Sequence, residues 1–183
     1  MLLLLLAMSP AASGAHLIYI SIIGVDRSAY PYYAAKRQAE RIIESGAASW
    51  TILRAAQFHD LVYGLLASWD AGDTSDTGAL RVPPDMRFQS VARAEVAARL
   101  VALAQGAAAG YAPPMRGPET LTIGEMARGY LAALGRVEAV EPIPAAQAQP
   151  SVFRTGVNLL DDGAPATLGR QTWTEWLGER EQR

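Results

Sequence analysis

Two kinds of apolar pattern alternate over four segments in the first seventy residues. His16 to Ile23 (HLIYISII) is a short, β-branched, nearly continuous apolar run that stops at Gly24, the pattern of a strand buried on both faces of a parallel sheet. Pro31 suits the first turn of a helix, and Tyr32 to Ser45 carries helical periodicity up to a Gly46 stop. Trp50 to Ala55 (WTILRA) reads as a second buried strand, and Phe58 to Trp69 as a second helix. This strand–helix–strand–helix order predicts an α/β fold with a parallel sheet and right-handed crossovers.

Further along, the pattern is more broken. Asp70 to Thr77 is a polar stretch whose Asp70, Asp73 and Asp76 lack the ligand spacing of a calcium loop, so it predicts a solvated turn. Leu80 to Gln89 predicts one or two short extended pieces around Pro83 and Pro84, and Ser90 to Gln105 an alanine-rich helix. Thr122 and Glu125 form a capping-box pattern ahead of a helix over Met126 to Leu134. Val137 to Pro144 predicts an edge strand, Ala145 to Asp162 is poorly patterned, and Gln171 to Leu177 predicts a short tryptophan-bearing helix.

The N-terminal Met1 to Ala12 (MLLLLLAMSPAA) resembles a secretory leader only superficially. It has no positive start and its apolar run is short for that role. The run is also far too short to span a membrane. The expectation is an apolar helix packed on the next part of the chain, in a cytoplasmic protein without a membrane partner.

Composition narrows the chemistry. The chain has 183 residues, 19% of them charged and 50% hydrophobic, the balance of a single folded domain. A net charge of −2 argues against a nucleic-acid partner, which requires clustered Lys and Arg. The absence of cysteine removes disulfides, thiolate nucleophiles and Cys-based zinc sites. His16 and His59 are too far apart in sequence for a local metal motif, and no metal is expected. Lys36 is the single lysine in a chain whose other basic residues are arginine.

Spacing excludes more. No two glycines fall within three positions of each other, so the chain contains no G-x-G-x-x-G dinucleotide fingerprint, and it contains no P-loop either. A G-x-S-x-G nucleophile elbow is also absent.

What remains is a Ser, Tyr, Lys set. Tyr32 and Lys36 stand at i and i+4 near the start of the first clear helix and share a face. Ser21 lies at the end of the preceding strand, where parallel strands present residues to a ligand crevice. In this arrangement the lysine ammonium would favour the phenolate, Tyr32 would donate a proton to a carbonyl oxygen, and Ser21 would steady that oxygen. Such Tyr–Lys pairs are also ordinary helix contacts, and Tyr33, at i+3 from Lys36, competes for the role.

The runs HLIYISIIGVDR, YPYYAAKRQAERIIESG and WTILRAAQFHD together resemble the atypical short-chain dehydrogenase/reductases, and within them the NmrA-like NAD(P)-binding proteins. FQSVARAEVAARLVALA, PETLTIGEMARGYLAALG and TWTEWL look like later segments of that family, in the right order from about Ala15 to Leu177.

The resemblance implies a Rossmann domain with strand order 3-2-1-4-5-6-7 that binds NADP or NAD and acts on a small-molecule carbonyl or quinone. It places Ser21, Tyr32 and Lys36 on the family's catalytic trio, with Lys36 also bonding the cofactor ribose. Ile20, Ser21 and Ile22, with Ala55, Ala56, Gln57 and Phe58, fall on strand ends touching the nicotinamide side. His59 and Asp60 fall toward the substrate. A plainer reading of His59 is a surface or helix-start histidine, since nothing pairs it with a nucleophile.

The departure from the family is at the start. The family's phosphate-binding glycines lie upstream of the Ser strand, which here begins at residue 16. Roughly 100 residues of βα units are therefore missing, at about 30 residues each. The expectation is one truncated domain over 1–183, with sheet and helix units at 16–70 and the substrate region at 71–183. Three sheet strands are expected, near 16–22, 50–55 and 118–122. One side of 16–23 would then be an unpaired apolar edge, open to self-association or to a partner chain. Three readings remain open: an NAD(P)-dependent oxidoreductase, a non-catalytic NAD(P)-sensing regulator, or an inactive fragment.

Overall fold

The computed structural model describes residues 4–8, 15–72, 78–144, 151–161 and 163–181. It is a mixed α/β fold built on one largely parallel sheet. Strand β1 (Leu4–Met8) is followed by β2 (Ala15–Ile22), helix α1 (Pro31–Ser45), β3 (Ser49–Ala55) and α2 (His59–Gly72). Then come β4 (Leu80–Val82), β5 (Arg87–Phe88), α3 (Arg93–Gln105), β6 (Gly110–Tyr111), β7 (Met115–Arg116) and β8 (Leu121–Thr122). Helix α4 (Ile123–Ala133), β9 (Val140–Pro142), β10 (Thr167–Leu168) and α5 (Trp173–Glu181) complete the chain.

The main sheet runs β1-β2-β3-β7-β10, with β6 also pairing with β3. β2 and β3 are parallel over seven residue pairs, from His16 opposite Ser49 to Ile22 opposite Ala55. Side chains alternate across this sheet. Ile18, Leu53 and Ala55 pack with Val96 and Leu100 of α3 on one face. Tyr19, Ser21 and Arg54 therefore fall on the other, under α1, where Lys36 lies over the Tyr19 ring. A second core forms among α2, α4, α5 and the small strands, around Leu66, Phe88, Met126 and Trp173.

Two expectations from the sequence are corrected. The N-terminal run does not form a helix over its described part: Leu4–Met8 is a strand, antiparallel to β2, with Leu4 opposite Tyr19 and Met8 opposite Ala15. A β2 edge with no neighbour offers unpaired backbone groups, and an extended apolar segment satisfies them where a helix would not. The edge over 16–23 is thus covered along its first part. The third parallel strand is also not at 118–122. Gly110–Tyr111 and Met115–Arg116 take the place beside β3. Leu121–Thr122 instead pairs antiparallel with Arg87–Phe88 in a separate small sheet.

The helix boundaries follow the expected start and stop residues. Pro31 opens α1, Gly46 ends it, and Thr122 with Glu125 forms the full capping box of α4. Of the aspartates expected in a solvated turn, Asp70 lies in α2 and accepts from Arg136 at 2.6 Å, while Asp73 and Asp76 lie outside the described residues.

Candidate functional site

The carboxyl ends of β2 and β3 lie side by side, so Ile20–Ile22 and Ala55–Phe58 come together at one end of the sheet. This is where a parallel α/β sheet presents residues to a ligand. The chain after β2 turns at Gly24, whose φ of +89° only glycine adopts readily. Arg27 then anchors the segment 157–159 above it, donating to the Val157 and Leu159 carbonyls at 2.8 and 2.6 Å. An open hollow of about 430 Å³ beside this turn is lined by Val25, Asp26, Ser28, Ala34, Arg37 and Arg41.

Lys36 is nearly buried. Its ammonium donates to the Ile20 carbonyl at 2.8 Å and sits 4.7 Å from the centre of the Tyr19 ring. Burial pulls its pKa below the ordinary lysine value, against the opposing pull of Glu40. Tyr32 stands exposed one turn earlier on the same helix, close enough to add to the rise in pKa that burial and then Glu40 give Tyr19 and that burial gives Tyr33. Tyr33 is buried, and its hydroxyl accepts from Gln57 Nε2 at 3.0 Å. Burial, with a smaller push from Tyr32, raises its pKa to about 12, so Tyr33 holds its proton at neutral pH. Of the two candidates, Tyr32 is the one whose ring is accessible.

Ser21 is buried, and no acceptor or donor lies in hydrogen-bond geometry with its hydroxyl. It lies near enough to Glu40 to help lower that group's pKa. The trio is thus brought together around α1 and the end of β2, but Ser21 faces the underside of α1, toward a fully buried carboxylate.

That carboxylate belongs to an ion cluster that sequence reasoning missed. Glu40 has no exposed surface and accepts from Arg54 Nε and Nη2 at 2.9 and 2.8 Å. Arg54 also reaches Asp26 at 2.7 Å, and Arg37 bonds Glu40 and Glu44 at 3.0 and 2.8 Å. Tyr111 donates to both glutamates. Burial pushes the Glu40 carboxyl up, yet the Arg54 hydrogen bonds and charge, with Ser21 and Tyr111, hold it below the usual range. Arg54 shows the reverse contest, burial opposing and the two carboxylates raising its pKa. The signal was available: Tyr33, Lys36 and Glu40 fall at i, i+3 and i+7, one helix stripe that packs on the sheet.

A second buried network spans the end of β3. Gln57 Oε1 accepts from Asn158 Nδ2 at 3.3 Å, and Asn158 also donates to the Arg87 carbonyl at 2.9 Å. Asn158 Oδ1 is buried without a partner. Ala55 and Ala56 serve the backbone ladder: Ala55 accepts from Ile23 and Ala56 donates to Met115. Phe58 bridges to Val91.

His59 opens α2 and is 1% exposed, so it is a helix-start histidine but not a surface one. Its Nε2 faces the Gln171 carbonyl at 3.3 Å, which only accepts, so Nε2 carries the proton. Nδ1 then accepts from the Ser90 hydroxyl at 2.9 Å. Burial, against the Gln171 bond and nearby carboxylates, lowers its pKa and keeps it neutral. Asp60 pairs with Arg93 at 3.1 Å and lines a separate hollow with Gln171, Trp176 and Arg180. Neither residue joins the Tyr32–Lys36 cluster through a hydrogen bond. No metal-binding group of His, Asp and Glu occurs among the described residues. No helix among them is long and apolar enough to cross a membrane.

No family model and no curated protein sequence matches the chain. Solved structures do. An NADPH-dependent quinone oxidoreductase from Escherichia coli superposes with a TM-score of 0.69 at 15% identity, covering 91% of this chain and 67% of that one. A nucleoside-diphosphate-sugar epimerase from Staphylococcus aureus gives 0.63 at 16% identity, covering 89% and 64%. A dTDP-4-dehydrorhamnose reductase from Bacillus anthracis, in complex with NADP, gives 0.58 at 16% identity, covering 88% and 62%. The chain therefore has a Rossmann-like fold and spans about two-thirds of the length of these structures.

Proposed function

We propose that this chain is the substrate-side portion of an NAD(P)-dependent oxidoreductase of the NmrA-like short-chain dehydrogenase type, acting on a small carbonyl or quinone. The observation that carries the reading is the grouping of an accessible Tyr32, a nearly buried Lys36 and the ends of β2 and β3 at one rim of a parallel sheet. Fold similarity to proteins named for NADPH-dependent quinone reduction and for NADP-bound reduction supports it.

The fit to a dinucleotide is one-sided. Asn158 Oδ1 is a buried polar atom without a partner, suited to the nicotinamide side together with Ile20, Ile22, Lys36 and Ala55 to Phe58, whereas Ser21 Oγ faces the buried Glu40 carboxylate. For the pyrophosphate, the chain has no closely spaced glycines of the fingerprint type. When bound, the reduced dinucleotide supplies a hydride.

The chain's own part is to hold and deliver a proton. Tyr32 hydroxyl donates it to the carbonyl oxygen, and the Lys36 charge steadies the phenolate left behind. Its bond to Ile20 ties that charge to the strand end. The same bond favours a second reading, dinucleotide binding without turnover, because it leaves the ammonium turned toward the backbone.

Titration of the purified chain with NADPH and NADH, read by energy transfer from its tryptophans, tests the binding step. Saturation in the micromolar range is expected. Absence of binding by folded protein would refute the reading.

A further inference from the structure

We propose that Tyr19 is a positioning residue of the candidate site: its ring face, and not its hydroxyl, holds Lys36 as a charged ammonium at the carboxyl end of β2. The inference deepens the proposed function and takes its catalytic meaning from it, because the charge so held is the one that steadies the Tyr32 phenolate.

An ammonium in this place needs compensation. Lys36 is 8% exposed, and taking a cation out of water disfavours its charged form. Its three N–H donors need partners. The Ile20 carbonyl takes one at 2.8 Å. Among the described residues no carboxylate takes another. Glu40, one turn on along α1, spends its oxygens on Arg54, Arg37 and Tyr111 and acts on Lys36 through its charge.

What the ammonium does meet is the Tyr19 ring, whose centre lies 4.7 Å from Nζ, within the range of a cation–π contact. Tyr19 has no exposed surface, so water does not compete for that face. One N–H is then left over, enough for a single acceptor on a bound ligand.

The Tyr19 hydroxyl has no part in this hold. It is buried and has no hydrogen-bond partner among the described residues. Burial, then Glu40 and Tyr32, push its pKa up to about 12. The ring therefore stays neutral while the lysine titrates, and the contact is with a π face rather than a phenolate. The other titratable and charged groups around the pair are Glu40 and Tyr32 of α1 and Arg54 of β3, which holds Glu40. A substitution at position 19 alters none of them.

Lys36 is the only lysine of the chain, so isotope-labelled lysine gives a single Cε signal in the NMR spectrum, and its pH titration reports this one group. The comparison is Tyr19→Phe and the same phenylalanine carrying one or three ring fluorines, which weaken the π face at nearly constant shape. Tyr19→Phe should titrate as the wild type does. Fluorination should lower the midpoint stepwise, by about one pH unit (a tenfold change) with three fluorines. In the unaltered chain the ring current should set the Lys36 Hε signals upfield of an ordinary lysine, a reading that needs no variant to fold. A midpoint indifferent to fluorination, a midpoint that falls as far in Tyr19→Phe as in the trifluoro form, or wild-type Hε signals at the ordinary position would each overturn the proposal. The readout uses neither dinucleotide nor turnover, so its failure is separate from a failure of NADPH to bind or to be oxidised.

Discussion

Lys36 Nζ donates to the carbonyl of Ile20 at 2.8 Å. The parity of β2 turns that carbonyl away from β3, and among the described residues β1 pairs with β2 as far as Tyr19, so no described strand supplies its donor. The lysine fills the place of a ladder hydrogen bond one step beyond the last described pair of that strand. A residue read from sequence as catalytic thus also completes the sheet.

Lys36→Met should accordingly destabilise the fold as well as the site. It leaves a partly buried carbonyl without a donor, at a cost of about 1–3 kcal/mol. Urea unfolding measures this, and a change near zero would mean that water replaces the ammonium without loss.

The Arg54–Glu40 pair offers a sharper contrast. Arg54→Met leaves Glu40, with no exposed surface, only Arg37 and the Tyr111 hydroxyl as described hydrogen-bond partners, and should cost about 3–5 kcal/mol. Arg54→Met combined with Glu40→Met removes the stranded charge and should recover a large part of that loss. Equal stability of the single and double variants would contradict a buried-charge penalty.

Gly24 is required twice over. Its φ is +89°, and a Cβ there would overlap the Val157 carbonyl. Gly24→Ala should displace the 157–159 segment and lower stability by more than about 2 kcal/mol. A thermal midpoint unchanged from wild type would show that the segment yields freely.

His59 should contribute a defined pH dependence. Its folded pKa lies below the ordinary 6.5, because burial favours the neutral ring. The unfolded chain therefore binds more protons in the window from 6.5 down to the folded value, and stability rises with pH there. The contribution is complete above 6.5 and is lost as the pH falls below it. His59→Gln, which keeps hydrogen-bonding capacity toward Ser90 and Gln171, should flatten the slope of unfolding free energy between pH 6.5 and 5. An unchanged slope would assign it to other groups.

The regular part of this fold was readable because local and global signals agreed. His16–Ile23 and Trp50–Ala55 are β-branched runs between turn residues, and α1 is bounded by Pro31 and Gly46. The third sheet position was not readable. β6 and β7 are two residues each, too short to show periodicity, and β7 is held in place by bonds such as Ala56 to Met115. The leucine run was misread for a different reason. Leucine favours helix intrinsically, and tertiary pairing with β2 overrode that preference.

The site was legible to a similar depth. Spacing placed Tyr32 and Lys36 on one face, and the strand pattern put Ile20–Ile22 beside Ala55–Phe58. Glu40 and Arg54 were invisible as a pair because their contact joins a helix to a strand across 14 positions. Asn158 and Gln57 meet across 101 positions, from a segment with no pattern of its own.

On the proposed function, Tyr32 delivers a proton to the carbonyl oxygen as the carbonyl is reduced. The direct measurement is NADPH oxidation against a panel of small carbonyls and quinones, for the wild-type chain and Tyr32→Phe, with NADPH affinity determined for both. In Tyr32→Phe, kcat should fall about 10²–10⁴-fold while NADPH binds equally well. Equal turnover by the two proteins would contradict it.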